Sequence, residues 1–171
     1  MICLLPTAYK MVSTLLLHRL RHECEGFLGN DQSGFRQHRS TRDQISILAE
    51  TLALIQEEGQ AAADALAASK CVDPDPAKVL ASLTFLDYIA AFDSVDHIFL
   101  DEALGISGAS CKTRAVIRSI YSSASAIVRS RDENSGYTAF SDAFSVDRGV
   151  VQGDIVSPYC FIIALQLIFL S

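Results

Sequence analysis

Transfer of a phosphoryl group needs anionic oxygens held rigidly around divalent cations, and a carboxylate at the end of a β-strand has that rigidity. Residues 85–93 read Phe-Leu-Asp-Tyr-Ile-Ala-Ala-Phe-Asp. The apolar, partly β-branched run at 79–86 predicts a buried strand that delivers Asp87 at its end, with the Tyr88 carbonyl beside it as a further oxygen. A plainer reading stands next to this one: Asp87 merely ends a strand and Asp93 merely caps the helix after it. One aspartate does not make a metal site.

A second constellation is centred on Gln152, 65 residues after Asp87. Residues 148–158 read Arg-Gly-Val-Val-Gln-Gly-Asp-Ile-Val-Ser-Pro and join a predicted strand to a predicted helix. Gly149 and Gly153 permit close backbone approach or positive φ. Gln152 offers a donor and an acceptor to a base, a sugar or a template backbone. The plainer alternative is a glycine-bracketed turn feeding a capped helix, as in many α/β proteins.

The elements that must position these residues follow from period and punctuation. Residues 6–23 have a helical pattern with Met11, Leu15 and Leu16 on one side, and glycines mark a loop at 25–39. Thr41-Arg42-Asp43-Gln44 reads as a capping box opening a second helix, whose buried stripe is Ile45, Leu48, Leu52 and Ile55 and which Gly59 closes. Residues 60–78 turn alanine-rich and then Asp-Pro-Asp-Pro, an insertion ending in a firm break. Asp93 or Ser94 caps a helix through about Leu104, and 111–121 form another. Strand character at 126–130 and 144–151 around the polar turn 131–136 gives a hairpin. Ser157 is the N-cap and Pro158 the N1 residue of a last helix.

The 171 residues suit one domain with a real core, and half of them are apolar. A mean hydropathy of +0.26 is high for so short a soluble chain and agrees with a piece of a larger protein that keeps apolar faces for its neighbours. The apolar run at 159–170, interrupted by Gln166, is too short to cross a bilayer, and the first 20 residues lack the basic start and small-residue cleavage site of a signal peptide. No membrane is expected. Five cysteines, none at CxxC spacing, indicate neither a zinc site nor a disulfide framework, so idle thiols in a reducing, intracellular compartment are expected. The net charge of −6 argues against a simple nucleic-acid-binding module. The acidity is local: residues 50–104 hold eleven Asp/Glu against two Lys/Arg, while the flanking segments are slightly basic.

Taken together, the two stretches resemble the palm motifs of reverse transcriptases from non-LTR (LINE-like) retrotransposons. The first is similar to an apolar strand, then Asp, then Ala-Phe-Asp; the second to Arg-Gly-Val-Pro-Gln-Gly followed by Ser-Pro and an apolar helix. Residues 32–41, Gln-Ser-Gly-Phe-Arg-Gln-His-Arg-Ser-Thr, resemble the family's fingers segment, and 4–10, Leu-Leu-Pro-Thr-Ala-Tyr-Lys, the segment before it. Four blocks in the family's order cover nearly the whole chain.

The resemblance implies an α+β fold, part of a right-hand polymerase with fingers at about 1–78 and 105–150 and palm at about 79–104 and 151–171. It implies addition of deoxynucleotides to a DNA primer on an RNA template with two Mg²⁺, in the nucleus. By the same resemblance Asp87 and the Tyr88 carbonyl are metal ligands. Phe92 is the steric gate that rejects a 2′-hydroxyl, and Gln152 and Gly153 seat the incoming nucleotide. Arg36, Arg39, Arg42 and Arg148 lie where nucleic acid approaches. Val151 departs from the family's proline. The triphosphate-holding arginine and the Asp-Asp pair that completes the metal site are not among these residues, so the resemblance suggests a chain truncated at both ends and inactive alone. Two rivals remain. One is a non-catalytic retroelement remnant that binds nucleic acid or protein. The other is a phosphatase-like fold with Asp87 as nucleophile, which wants a second acid where Ile89 sits.

Overall fold

The computed structural model describes residues 3–68, 83–131 and 136–170, and the chain divides into two compact units, Met1–Phe35 with Ile89–Ser171, and Arg36–Tyr88. The break expected at 69–78, the start of the strand at 79–82 and most of the polar turn, 132–135, lie outside the described residues.

The first unit is built around one helix. α5 (Ser157–Leu170) is apolar on nearly every side, the mark of a helix that packs on all faces. Tyr159, Cys160, Ile162, Ile163 and Ala164 are buried against α1 (Thr7–Cys24) and α3 (His97–Ile106). Its one polar interruption has a use: the Gln166 Oε1 accepts from the Gly29 amide at 3.1 Å and ties the loop after α1 to the helix. α4 (Cys111–Ser122) adds Ile117 and Tyr121 to the same core.

α1 begins and ends within a residue of the expectation, but its inward face is Ser13, Leu16, Leu17, Leu20 and Cys24. Met11 and Leu15 stand outside, 66% and 67% exposed. Two adjacent apolar stripes share this helix, and its period alone does not choose between them.

α3 starts later than the sequence suggested. Residues 90–94 are taken up by a turn in which the amides of Asp93 and Ser94 both donate to the Ala90 carbonyl at 3.0 Å. The cap is therefore Asp96, whose Oδ1 accepts from the Ile98 and Phe99 amides at 2.9 and 3.1 Å. Those two hydrogen bonds, that of Phe99 foremost, hold its carboxyl below the usual range. Ser110 caps α4. Asp101 of α3 receives Arg114 at 2.6 Å and Arg118 at 3.1 Å from α4, and the Arg114 hydrogen bond lowers its pKa against the opposing effect of burial.

The hairpin is present as two short antiparallel ladders, β1 (Ser125–Ala126) with β4 (Phe144–Ser145), and β2 (Arg129–Arg131) with β3 (Thr138–Phe140). Pairing stops at Ser145 rather than running to 151, because Gly149 and Val150 give their amides to Val95 and Phe92 instead.

In the second unit α2 (Thr41–Ala68) runs straight through Gly59. A mid-helix glycine costs only about 1 kcal/mol relative to alanine, and the alanine-rich stretch behind it has the highest propensity available. The cap is Ser40, one residue before the expected one: its Oγ accepts from the Asp43 amide at 3.3 Å and its own amide donates to Asp43 Oδ2 at 3.0 Å. Of the expected stripe, Leu48 and Ile55 are half-buried while Ile45 and Leu52 are exposed.

In its described part, 83–86, the buried strand expected before Asp87 is not formed. Residues 83–88 are irregular, and Phe85 and Leu86 are 82% and 72% exposed. A strand exists by pairing, and no strand among the described residues pairs with this segment. Among the described residues no helix is long and apolar enough to cross a membrane.

Candidate functional site

The two glycines of the 148–153 turn are spent on close approach. Gly149 is buried with φ +87°, and a Cβ there would lie 2.8 Å from the Asp93 Cα and 3.0 Å from the carbonyl oxygens of Phe92 and Asp93. The turn is pressed against the backbone of the stretch that carries Phe92. Hydrogen bonds fix the contact: the Gly149 amide donates to the Val95 carbonyl and the Val150 amide to the Phe92 carbonyl, both at 2.8 Å. Gly153 has φ +102°, and a Cβ there would meet the Cys3 carbonyl oxygen at 2.6 Å. The Cys3 amide in turn donates to the Gln152 carbonyl at 2.8 Å.

This packing brings together three of the residues singled out above. Phe92 is half-buried, its ring stacked on Phe161 of α5 at 4.7 Å and 19° and meeting Phe35 edge-on at 6.1 Å. Gln152 sends its side-chain Nε2 to the Asp93 Oδ1 at 3.2 Å. An aromatic ring, an amide side chain and a glycine backbone thus share one corner of the first unit. A half-buried planar ring can exclude by volume, and an amide side chain can exchange a protein partner for a ligand.

Behind the turn lies a residue that no local pattern singles out. Asp154 is buried, and its carboxylate accepts from Tyr9 Oη at 3.0 Å, from Ser13 Oγ, and from the Ile155 amide at 2.7 Å. Ser13 Oγ also accepts from the Val156 amide at 3.1 Å. The partners on α1 are 141 and 145 residues away in sequence, so no local spacing signals them. Burial first, and then the Asp154 charge, push the Tyr9 phenol above its ordinary value. Burial does the same to Tyr121, which sits 3.2 Å from Ser157 Oγ. His97 is the other omission: its Nε2 lies 2.8 Å from the Gly149 carbonyl.

The remaining residues singled out by sequence are Arg148 in the first unit and Asp87, Tyr88, Arg36, Arg39 and Arg42 in the second. Arg148 is exposed and reaches Asp96 Oδ2 at 3.8 Å, a loose surface pair worth little. Asp87 is exposed and Tyr88 is 46% exposed; both belong to the second unit, as do half-buried Arg36 and Arg39 and exposed Arg42. Among the described residues no three or more His, Cys, Asp or Glu side chains gather where they could hold a metal ion. Asp87 and one carbonyl do not make up the oxygen set that two divalent ions require.

Comparison with known proteins gives one positive result. The family model described as reverse transcriptase (RNA-dependent DNA polymerase) matches residues 1–171. No curated protein and no solved structure matches the chain.

Proposed function

The chain belongs to the reverse transcriptase family, and from that premise we propose that it supplies the gate and the nucleotide-seating turn of an RNA-directed DNA polymerase of the non-LTR retrotransposon type. The family has a polymerase fold, generally uses divalent metal ions and binds RNA template and nucleotides. The observation that carries the finer reading is the backbone lock between Phe92 and the 149–153 turn. In this reading Phe92 closes the space a 2′-hydroxyl would need, and Gln152 leaves Asp93 to meet the incoming nucleotide. The Gly153 backbone lies against that nucleotide. Arg36, Arg39, Arg42 and Arg148 neutralise phosphates of template and primer. Asp87, with the Tyr88 carbonyl, is the chain's contribution to a two-Mg²⁺ centre. The fingers comprise about 1–78 and 105–150, the palm about 79–104 and 151–171, and the site of action is the nucleus.

The 171 residues contain no Asp-Asp dipeptide, and by themselves they do not polymerise. The test is primer extension on an RNA template with deoxynucleotides and Mg²⁺. The chain alone is expected to incorporate nothing. A chimera in which these residues replace the matching segment of an active reverse transcriptase is expected to extend the primer, and Asp87→Ala to reduce that extension about 10³-fold. Extension by the chain alone, or an Asp87→Ala chimera as active as its parent, overturns the reading. A second reading, a non-catalytic nucleic-acid-binding piece, is favoured by the exposure of Asp87. A chimera that binds RNA without extending it would support that one.

A further inference from the structure

Gly149 opens the turn, is buried, and has both of its backbone polar groups consumed by one short stretch of chain. Its amide donates to the Val95 carbonyl and its carbonyl receives the His97 Nε2, each at 2.8 Å. A carbonyl oxygen only accepts, so the Nε2 of His97 carries the proton in this contact. His97 is the first residue of α3, set there by the Asp96 cap, and its ring lies 4.7 Å from that of Tyr121 on α4. Both the cap and the ring contact fix the imidazole on helices rather than on loops. At the far side of the turn Asp154 holds Tyr9 and Ser13 of α1. Gln152 and Gly153 therefore span two fixed supports, one at His97 and one at Asp154.

We propose that His97 is a positioning residue for the nucleotide-seating turn, its Nε2–H holding the Gly149 carbonyl so that Gln152 and Gly153 present one conformation to a deoxynucleoside triphosphate. The proposal rests on the reading of that turn given above. Loss of the donor leaves a buried carbonyl without a partner, and the segment relieves this by shifting toward water. The ring itself also packs, so a structural role must be separated from the donor role. His97→Phe keeps a ring against Tyr121 and removes the donor. His97→Gln removes the ring and keeps an N–H at similar reach.

The experiment is a chemical-shift titration of the isotopically labelled full chain with dATP and Mg²⁺, preceded by spectra without ligand. Without ligand, the amides of 149–153 are expected to stay sharp in the wild type and in His97→Gln and to broaden in His97→Phe. With ligand, His97→Phe is expected to bind dATP about tenfold more weakly, and His97→Gln to recover most of that loss. Sharp turn amides and unchanged affinity in His97→Phe overturn the proposal, as does a His97→Gln variant that behaves like His97→Phe. If the wild type shows no response to dATP at 92 and 152–153, the nucleotide-seating reading falls as well, whereas sound wild-type binding with an indifferent His97 removes this inference alone.

Discussion

Gly149→Ala is expected to destabilise the chain by about 3–4 kcal/mol and to lower its Tm by about 10 °C in a thermal melt. Two effects add. At φ +87° an L-residue is strained by about 1–2 kcal/mol. The new methyl would also stand 2.8 Å from the Asp93 Cα and 3.0 Å from two carbonyl oxygens, and these are backbone atoms that move only if the turn parts from the Phe92 stretch. Gly136 separates the two contributions. It has φ +68°, is exposed, and nothing lies within 4 Å of an added Cβ. Gly136→Ala is expected to cost about 1 kcal/mol. Equal losses at the two positions would mean that the close approach of the turn to the Phe92 stretch contributes nothing to stability.

Asp154→Ala is the second large effect, a loss of about 3 kcal/mol in denaturant unfolding. The change strands Ser13 Oγ without its acceptor in a buried setting, and Tyr9 Oη and the Ile155 amide in part-buried ones. Asp154→Asn keeps one acceptor oxygen, and the hydroxyls can turn to accept from its amide, so about half of the loss is expected. The charge has a separate signature at high pH. Burial and then Asp154 raise the folded-state pKa of Tyr9 above its ordinary 10.0, and burial raises Tyr121 and Cys160 above 10.0 and 9.0. Stability from groups raised in the folded state is fully present below their unfolded values and is lost as pH climbs past them. Wild-type stability is therefore expected to decline from about pH 9 upward. In Asp154→Asn, where Tyr9 no longer faces a carboxylate, the decline is shallower. Parallel alkaline limbs in the two proteins would remove Asp154 as a cause.

What could be read from the sequence was what is local. The spans of α1, α4 and α5 follow from period and punctuation, and the glycines of the 148–153 turn stand where their φ values need them. The choices that failed depend on partners. Met11 and Leu15 are as apolar as Leu17 and Leu20, and only packing in the folded unit selects the second pair, with Leu16 the one expected residue that lies inside. Within Asp93-Ser94-Val95-Asp96 either aspartate can cap, and the turn at Ala90 assigns the role to Asp96. The run ending at Leu86 has the composition of a strand, but composition does not provide a neighbour to pair with. Asp154 carries no local signal because Tyr9 and Ser13 reach it from the other end of the chain. The family blocks were legible for the opposite reason, since each carries its residues within a dozen positions.

The central claim is that Phe92 and the Gln152-Gly153 turn form one surface that accepts a deoxynucleotide and refuses a ribonucleotide. Paired titrations of the labelled chain with dATP and with ATP, each with Mg²⁺, test it most directly. The expected result is a set of shifts centred on Phe92, Gln152 and Gly153 for dATP, with ATP bound about tenfold or more weakly and the difference erased in Phe92→Ala. Equal binding of the two nucleotides by the wild type, or shifts that gather away from these three residues, would contradict it.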